Sequence, residues 1–267
     1  MMKILSLGAG VQSSTILRMS IKGELPKLDG AIFADTQWEP SQVYAHLEIL
    51  ETEAKTAGIP IYRVTRGNLR ETVLNTKTGH WPRPPFYVKN PDGSRGLAHR
   101  QCTGDYKLDV IRKQMRLITG ITSHMRPKGP VIEQWIGISL DEAHRMKPAK
   151  EIWIESKWPL IDLRMKRGDC LEWNKKNGFS EPPRSACIGC PFHSDHEWRN
   201  IKDNPEQWAD ACDFDQKIRQ SERNIGLKGE FYLHGQLVPL SDVDLSTPED
   251  HGQLNMFGNE CEGLCGV

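Results

Sequence analysis

The sequence predicts a doubly wound α/β fold: a mainly parallel, Rossmann-like α/β/α sandwich with a more helical C-terminal part. Three observations predict it. Short, largely apolar runs at residues 4–7, 30–34 and 131–138 are each followed by a turn and a segment of helical period. Runs without polar alternation suit strands covered on both faces, as parallel strands are. The strand–helix alternation holds over residues 1–140.

The first run leads into Gly8, Ala9 and Gly10, then the hydroxyls of Ser13, Ser14 and Thr15, then Ile16, Leu17 and Ile21. This order reads as buried strand, tight turn and helix. Glycines let a backbone approach a ligand closely. A helix N-terminus offers N–H groups and a positive dipole end that suit phosphate. An ordinary strand-to-helix turn carries the same pattern. The stretch is neither a P-loop, since no Gly-Lys-Ser/Thr follows, nor GxGxxG, since Ser13 takes the third glycine's place.

The second strand, residues 30–35, ends in Asp35, at the strand end where open α/β sheets place their ligands. Pro40 opens a helix with Val43, Leu47 and Leu50 on one face, ending near Gly58. Residues 59–64 read as a third strand and 68–77 as a helix. Residues 79–99 are rich in turn formers and aromatics, with Arg83 and Arg95, and read as an irregular substrate-covering loop. Leu108, Ile111, Met115 and Ile118 mark a helix, 120–130 a loop, and 131–138 the fourth strand. Residues 158–162 read as a short strand or extended entry. Helices are expected near 169–177, 196–203 and 205–223. The organisation expected is a nucleotide-binding domain (1–165), a helical region carrying a Cys-x2-Cys pair (166–230) and an extended tail (231–267).

Thirty-five basic and 35 acidic residues leave no net charge among 267, so no global attraction to nucleic acid is expected, although local patches can bind it. One basic group, Arg164, Lys166, Arg167, Lys175, Lys176 and Arg184, is able to contact a phosphodiester backbone or to form a solvated face. No apolar run is long enough for a membrane span, and no secretory leader is recognisable, so a cytoplasmic location is expected. Seven cysteines in such a chain argue for metal or redox chemistry rather than a disulfide framework.

Cys187 and Cys190 are spaced so that two thiolates can chelate one metal or cluster. Thioredoxin-like redox chemistry would want the pair between a strand and a helix. Structural zinc would want two more ligands, for which Cys102, His193 and His196 are available. An iron–sulfur cluster would take Cys102 with the pair, leaving one iron open or using Cys170 or Cys212. Otherwise Cys170 and Cys212, in helical patterns, suit core packing. Cys261 and Cys265 sit in a tail of small residues that is able to swing toward a site.

The segment from Gly8 to Ser14 resembles the Ser-Gly-Gly-x-Asp-Ser loop of the adenine nucleotide α-hydrolase superfamily, the PP-loop ATP pyrophosphatases and phosphoadenosine phosphosulfate reductases. Gly8 stands at the first serine and Gln12 at the aspartate. Asp35 and Thr36, the stretch from Gly137 to Arg145 with Ser139 where the family has arginine, and residues 158–162 resemble further family segments in the same order. Cys102 followed by Cys187 and Cys190 is similar to the iron–sulfur subclass, with Gln101 where the reductases have another cysteine. Glu260 and Cys261 resemble the reductases' tail motif, which Glu262 interrupts.

The resemblance implies ATP with Mg²⁺ held by Ser6, Gly8, Ala9, Gly10, Gln12, Ser13, Ser14, Asp35, Gly137 and Arg145. It implies a [4Fe-4S] cluster, or alternatively zinc, on Cys102, Cys187 and Cys190, and catalytic roles for Asp35, Cys261 and Cys265. The activity implied first is ATP-dependent sulfur transfer to a tRNA or DNA acceptor, with a sulfur-donor protein. A sulfonucleotide reductase using a tail cysteine is the second. A non-catalytic nucleotide-binding protein with structural zinc is the third.

Overall fold

The computed structural model describes residues 1–75, 81–122, 124–220, 229–246 and 250. From β1 (Met2–Leu7) the chain passes through α1 (Val11–Lys22), β2 (Gly30–Asp35), α2 (Ser41–Thr56), β3 (Ile61–Thr65) and α3 (Leu69–Leu74). A hairpin of β4 (Tyr87–Lys89) and β5 (Arg95–Leu97) precedes a π-helical turn (Gly104–Leu108), α4 (Asp109–Thr119) and β6 (Ile132–Ile136). Then come a 3-10 turn (Leu140–Arg145), β7 (Ile154–Lys157), α5 (Pro159–Asp162), α6 (Arg167–Lys176), α7 (Asp195–Lys202), α8 (Pro205–Gln220) and β8 (Glu230–Tyr232).

The central sheet has the order β3-β2-β1-β6-β7 and every pairing in it is parallel. The chain steps outward from β1 to β3, then returns to the other side of β1 for β6 and β7. That reversal opens a crevice at the carboxyl ends of β1 and β6, the switch point of a doubly wound sheet. Alternating residues of the buried strands feed two cores. Leu5, Leu7 and Phe33 join Val11, Ile16 and Leu17 of α1 and Val43, Leu47 and Leu50 of α2. Ile4, Ile32 and Ala34 join Val110, Ile111 and Met115 of α4. The apolar face expected for α2 is fully buried at Val43, Leu47 and Leu50, each burial contributing about 1.5–3 kcal/mol relative to exposure.

Arg18 crosses the first core at 1% exposure. Its guanidinium grips both carboxylate oxygens of Glu53 (2.9 and 3.0 Å), donates to Asn174 Oδ1 (2.7 Å) and stacks on Phe179. One cation thereby ties α1, α2 and α6 together.

Several expectations are corrected. β3 begins two residues later than predicted, because Pro60 has no N–H for the ladder and only its carbonyl pairs, with Ala31. The helix expected over 68–77 is capped by the Asn68 side chain on Glu71 N and gives way at Asn75; residues 76 and 77 lie outside the described residues. Residues 158–162 are not extended: Pro159 starts a helical turn, and the strand lies just before it. The described part of the 79–99 segment is not an irregular cover. β4 and β5 pair with β8 in a small antiparallel sheet, and Trp81 and Phe86 pack against Phe231 in a third core. Those aromatics are hydrophobic core.

That third core draws on both sides of residue 165, from Trp81, Phe86 and Tyr106 to Trp198, Phe214 and Leu233, while Cys170 packs in the α1–α2 core. The tail is packed as far as Leu245. The Asp215 carboxylate, 1% exposed, accepts from Leu233 N and Leu240 N (2.9 Å each) and pairs with Arg219, fastening the C-terminal segment to α8. Among the described residues no helix is long and apolar enough to cross a membrane.

Asp215→Ala removes that anchor and leaves a half-buried arginine and two buried amides without their acceptor. We expect a loss of about 3 kcal/mol, read as a lower urea midpoint, with Asp213→Ala at the exposed neighbouring acid costing far less.

Candidate functional site

The crevice is a cleft of roughly 480 Å³ at the strand ends. Ser6, Gly8, Gly10, Gln12 and Ser13 form its floor, and Phe33, Ala34, Ile111 and Ile136 give it an apolar flank. An outer wall comes from Arg184, Ser185 and His193 in the segment between α6 and α7 and from Glu197 of α7.

The floor is shaped by a tight turn. Ala9, fully buried, takes a left-handed φ of +56°, which costs an alanine about 1 kcal/mol. Gly8 N–H donates to Ser13 Oγ (3.2 Å), and that hydroxyl donates to the Gly10 carbonyl (3.4 Å), closing the loop on itself. Gly10 occupies the N-cap of α1 without a side-chain acceptor, so the helix presents its first-turn amides to the cleft uncapped by its own side chain. Gly137, at the end of β6, allows this arrangement. A Cβ there would lie 2.9 Å from Ser13 N and 3.2 Å from Ser13 Cα, so only glycine lets the strand end abut the helix start.

The predicted residues divide. Ser6, Gly8, Gly10, Gln12, Ser13, Gly137 and Arg145 line the cleft. Ala9 shapes the turn from beneath. Ser14 points the other way: its hydroxyl is buried against His46 Nε2 (2.9 Å), pinning α1 to α2. Burial, then the Arg18 charge, lowers the His46 pKa to about 4, so the ring is neutral at pH 7. Asp35 lies at the end of β2 but turns from the cleft, accepting from Gln37 N (2.7 Å) and Tyr44 OH (2.8 Å). Burial, then this contact, pushes the Tyr44 pKa up. Cys261 and Cys265 lie outside the described residues.

Gln12 donates through Nε2 to Ser139 Oγ (3.4 Å) and Glu142 Oε2 (3.2 Å), while Glu142 Oε1 pairs with Arg145 (2.6 Å). The acid in this corner is therefore Glu142, which lies at the acidic position of the stretch that resembles the family but is not among the predicted site residues. Lys107, Arg167 and Arg184 join Arg145 on the lining. Each of Lys107, Arg145 and Arg184 faces a carboxylate: Glu39 (3.7 Å), Glu142 and Glu197.

The cysteine turn docks on the β2–α2 loop. Ile188 N donates to the Trp38 carbonyl (2.9 Å), and Gly189 sits flat against the indole, where a Cβ would fall 2.1 Å from Trp38 Cη2. The Cys187 thiol lies 3.3 Å from Thr36 Oγ1 and 3.5 Å from Glu39 Oε1. Burial, then Glu39, raises the Cys187 pKa well up, with the Cys102 sulfur close enough to add to it; burial raises Cys102 as well. Cys187 and Cys102, both partly buried, pack against the same third core. Glu39 Oε2 is buried there without a hydrogen-bond partner. A thiophilic cation is the kind of group that would partner such an oxygen and such sulfurs. Among the described residues, however, no three His, Cys, Asp or Glu side chains are grouped to hold a metal.

His193, a zinc-ligand candidate by its spacing from the cysteine pair, has another place. Its Nε2–H donates to the Cys187 carbonyl (2.9 Å), and its ring packs edge-on against Trp198. Burial, then Arg184, lowers its pKa to about 4. Cys170 is core, its thiol raised to about 12 chiefly by burial.

Fold and cleft define a class: a doubly wound α/β protein with an uncapped helix N-terminus and several cations at its switch point. No protein-family model matches the chain, and no curated protein matches it.

Gly137→Ala drives a methyl into the α1 backbone. We expect a stability loss of about 1–3 kcal/mol and at least about tenfold weaker anion binding in the cleft, measured with pyrophosphate by calorimetry. Gly104→Ala, where a Cβ meets nothing within 4 Å, leaves both unchanged.

Proposed function

We propose that this chain is an ATP-using sulfur-transfer enzyme of the PP-loop kind. The observation that carries the reading is the cleft itself: uncapped amides of α1 beside Gly8 and Gly10, with Lys107, Arg145, Arg167 and Arg184 around them and an apolar flank alongside. That combination suits a polyphosphate next to a flat, weakly polar base.

In this reading the triphosphate lies on the Gly8–Ser13 turn, and the base against Phe33, Ala34 and Ile111. A substrate oxygen attacks the α-phosphorus and pyrophosphate departs. The amides and the lining cations stabilise charge as it develops on the phosphate oxygens. Their carboxylate partners hold these cations in place before ligand arrives, so little reorganisation is needed. Glu142 keeps Gln12 and Arg145 together at the turn. Mg²⁺ bound with the nucleotide would neutralise phosphate charge. A sulfur donor then displaces AMP from the activated acceptor.

Cys102, Cys187 and Cys190 would hold an iron–sulfur cluster, or alternatively zinc; a cluster with an open iron supplies a place to hold sulfide. The hydrogen bond from His193 to the Cys187 carbonyl links that turn to the outer wall of the cleft. Anaerobic purification with iron, sulfide and zinc analysis separates the two metals, and replacement of Cys187 by Ser lowers the bound metal in either case.

The decisive assay offers the protein ATP, a nucleic acid and a sulfur source, or a sulfonucleotide with a thiol reductant. We expect acceptor-dependent pyrophosphate release in the first, lowered at least about tenfold by Arg145→Gln and largely intact when the chain is truncated before Asn259. Sulfite production in the second that vanishes with Cys261→Ser would replace this reading by the reductase.

A further inference from the structure

The charge of this chain sums to zero but is not evenly spread. Residues 110–132 hold five lysines and arginines and no acid; residues 143–150 hold three more and no acid. The two stretches meet in the fold. Arg112 of α4 pairs with Glu151 (2.6 Å), and Arg116 lies over the ring of Trp153. Ile118, Ile121 and Ala149 all pack against the core that contains Trp153. Val131 N donates to the Trp153 carbonyl (2.9 Å) as the chain enters β6.

One face of α4 is thus continuous with the segment between the 3-10 turn and β7. Lys113, Arg126, Lys128, Lys147 and Lys150 stand exposed on it. Leu117, Met125 and Ile152, at 75%, 53% and 62% exposure, lie among them. The face begins at the cleft, since Lys107 and Ile111 on one side and Arg145 on the other line it.

We propose that this face is the docking surface for a single-stranded segment of nucleic acid whose end enters the cleft. The inference rests on the sulfur-transfer reading for its acceptor, and adds where and in what form that acceptor binds. A run of cations with few acids, Asp109 and Glu151 pairing with Arg112, matches a phosphodiester backbone, whose binding is dominated by neutralised phosphates. Exposed apolar side chains between the cations offer contact to unstacked bases, which a duplex keeps hidden. A cleft of roughly 480 Å³ that also takes ATP leaves room at its mouth for a single unstacked base and none for a base pair within a helix. In the other basic group, near α6, Asp169, Glu172 and Glu181 stand among the six cations from Arg164 to Arg184 and offset part of their field.

The test is fluorescence anisotropy with a labelled oligo-uridine, the matching duplex and the whole chain, at several salt concentrations, beside ATP calorimetry. We expect the single strand to bind more tightly than the duplex. The triple variant Lys113→Glu, Lys147→Glu, Lys150→Glu should weaken it at least about tenfold and flatten the slope of log affinity against log salt by about 0.7 for each phosphate no longer neutralised. ATP affinity and the far-ultraviolet spectrum should stay unchanged. Lys175→Glu with Lys176→Glu should bind as the parent. Equal binding by the triple variant, a duplex bound as tightly as the strand, or no strand binding at all would each overturn the proposal. If ATP binds and the strand does not, only this inference falls; if ATP fails to bind, the nucleotide reading falls with it.

Discussion

The approach of Gly137 to the backbone of Ser13 is the constraint on which the cleft depends. It brings the end of β6 against the first turn of α1, so the uncapped amides of that helix open at the switch point rather than against a side chain. Everything on the floor follows from this contact. Ala9 accepts an unfavourable φ to complete the turn, Ser13 closes it, and Gln12 is carried to within reach of Ser139 and Glu142. Arg18 and the Ser14–His46 pair hold the same helix from behind. Together they fix α1 on the side away from the cleft.

The outer wall is a different kind of construction. The turn from Cys187 to Cys190 is not part of the sheet; it is seated on Trp38 through Gly189 and through the Ile188 hydrogen bond. Trp38 in turn donates to Asp210 of α8 (2.6 Å) and packs on Phe214. The third core therefore supports the cysteines, and the β4–β5–β8 sheet supports the third core. A segment that reads as a binding loop contributes to the site by holding up its far wall.

Much of this was legible from residues alone. The fully buried strands, the glycine turn into α1 and the α2 face depend on local period and local backbone freedom, which a linear pattern carries. The small antiparallel sheet was not legible, because β4 and β8 are three residues long and far apart in the chain. Their pairing is stable only through the shared core of Trp81, Phe86 and Phe231. Ser14 and Asp35 show the same limit at single-residue scale: each sits where the motif expects a ligand contact, yet a neighbour on α2 captures its polar atoms.

The sequence by itself determined the doubly wound class, the position of the glycine turn into α1 and the cysteine spacing, since each rests on residues adjacent in the chain. Tertiary structure decided which side chains face the cleft. It set Glu142 beside Gln12, gathered Lys107, Arg145 and Arg184 onto their carboxylates, and packed Cys102 and Cys187 against one core, with Cys187 beside Glu39. Apart from the local pairs Arg145–Glu142 and Arg184–Glu197, these contacts join residues far apart in the chain. They exist because the sheet reverses its winding at β1, and only the folded sheet brings those loops to one place.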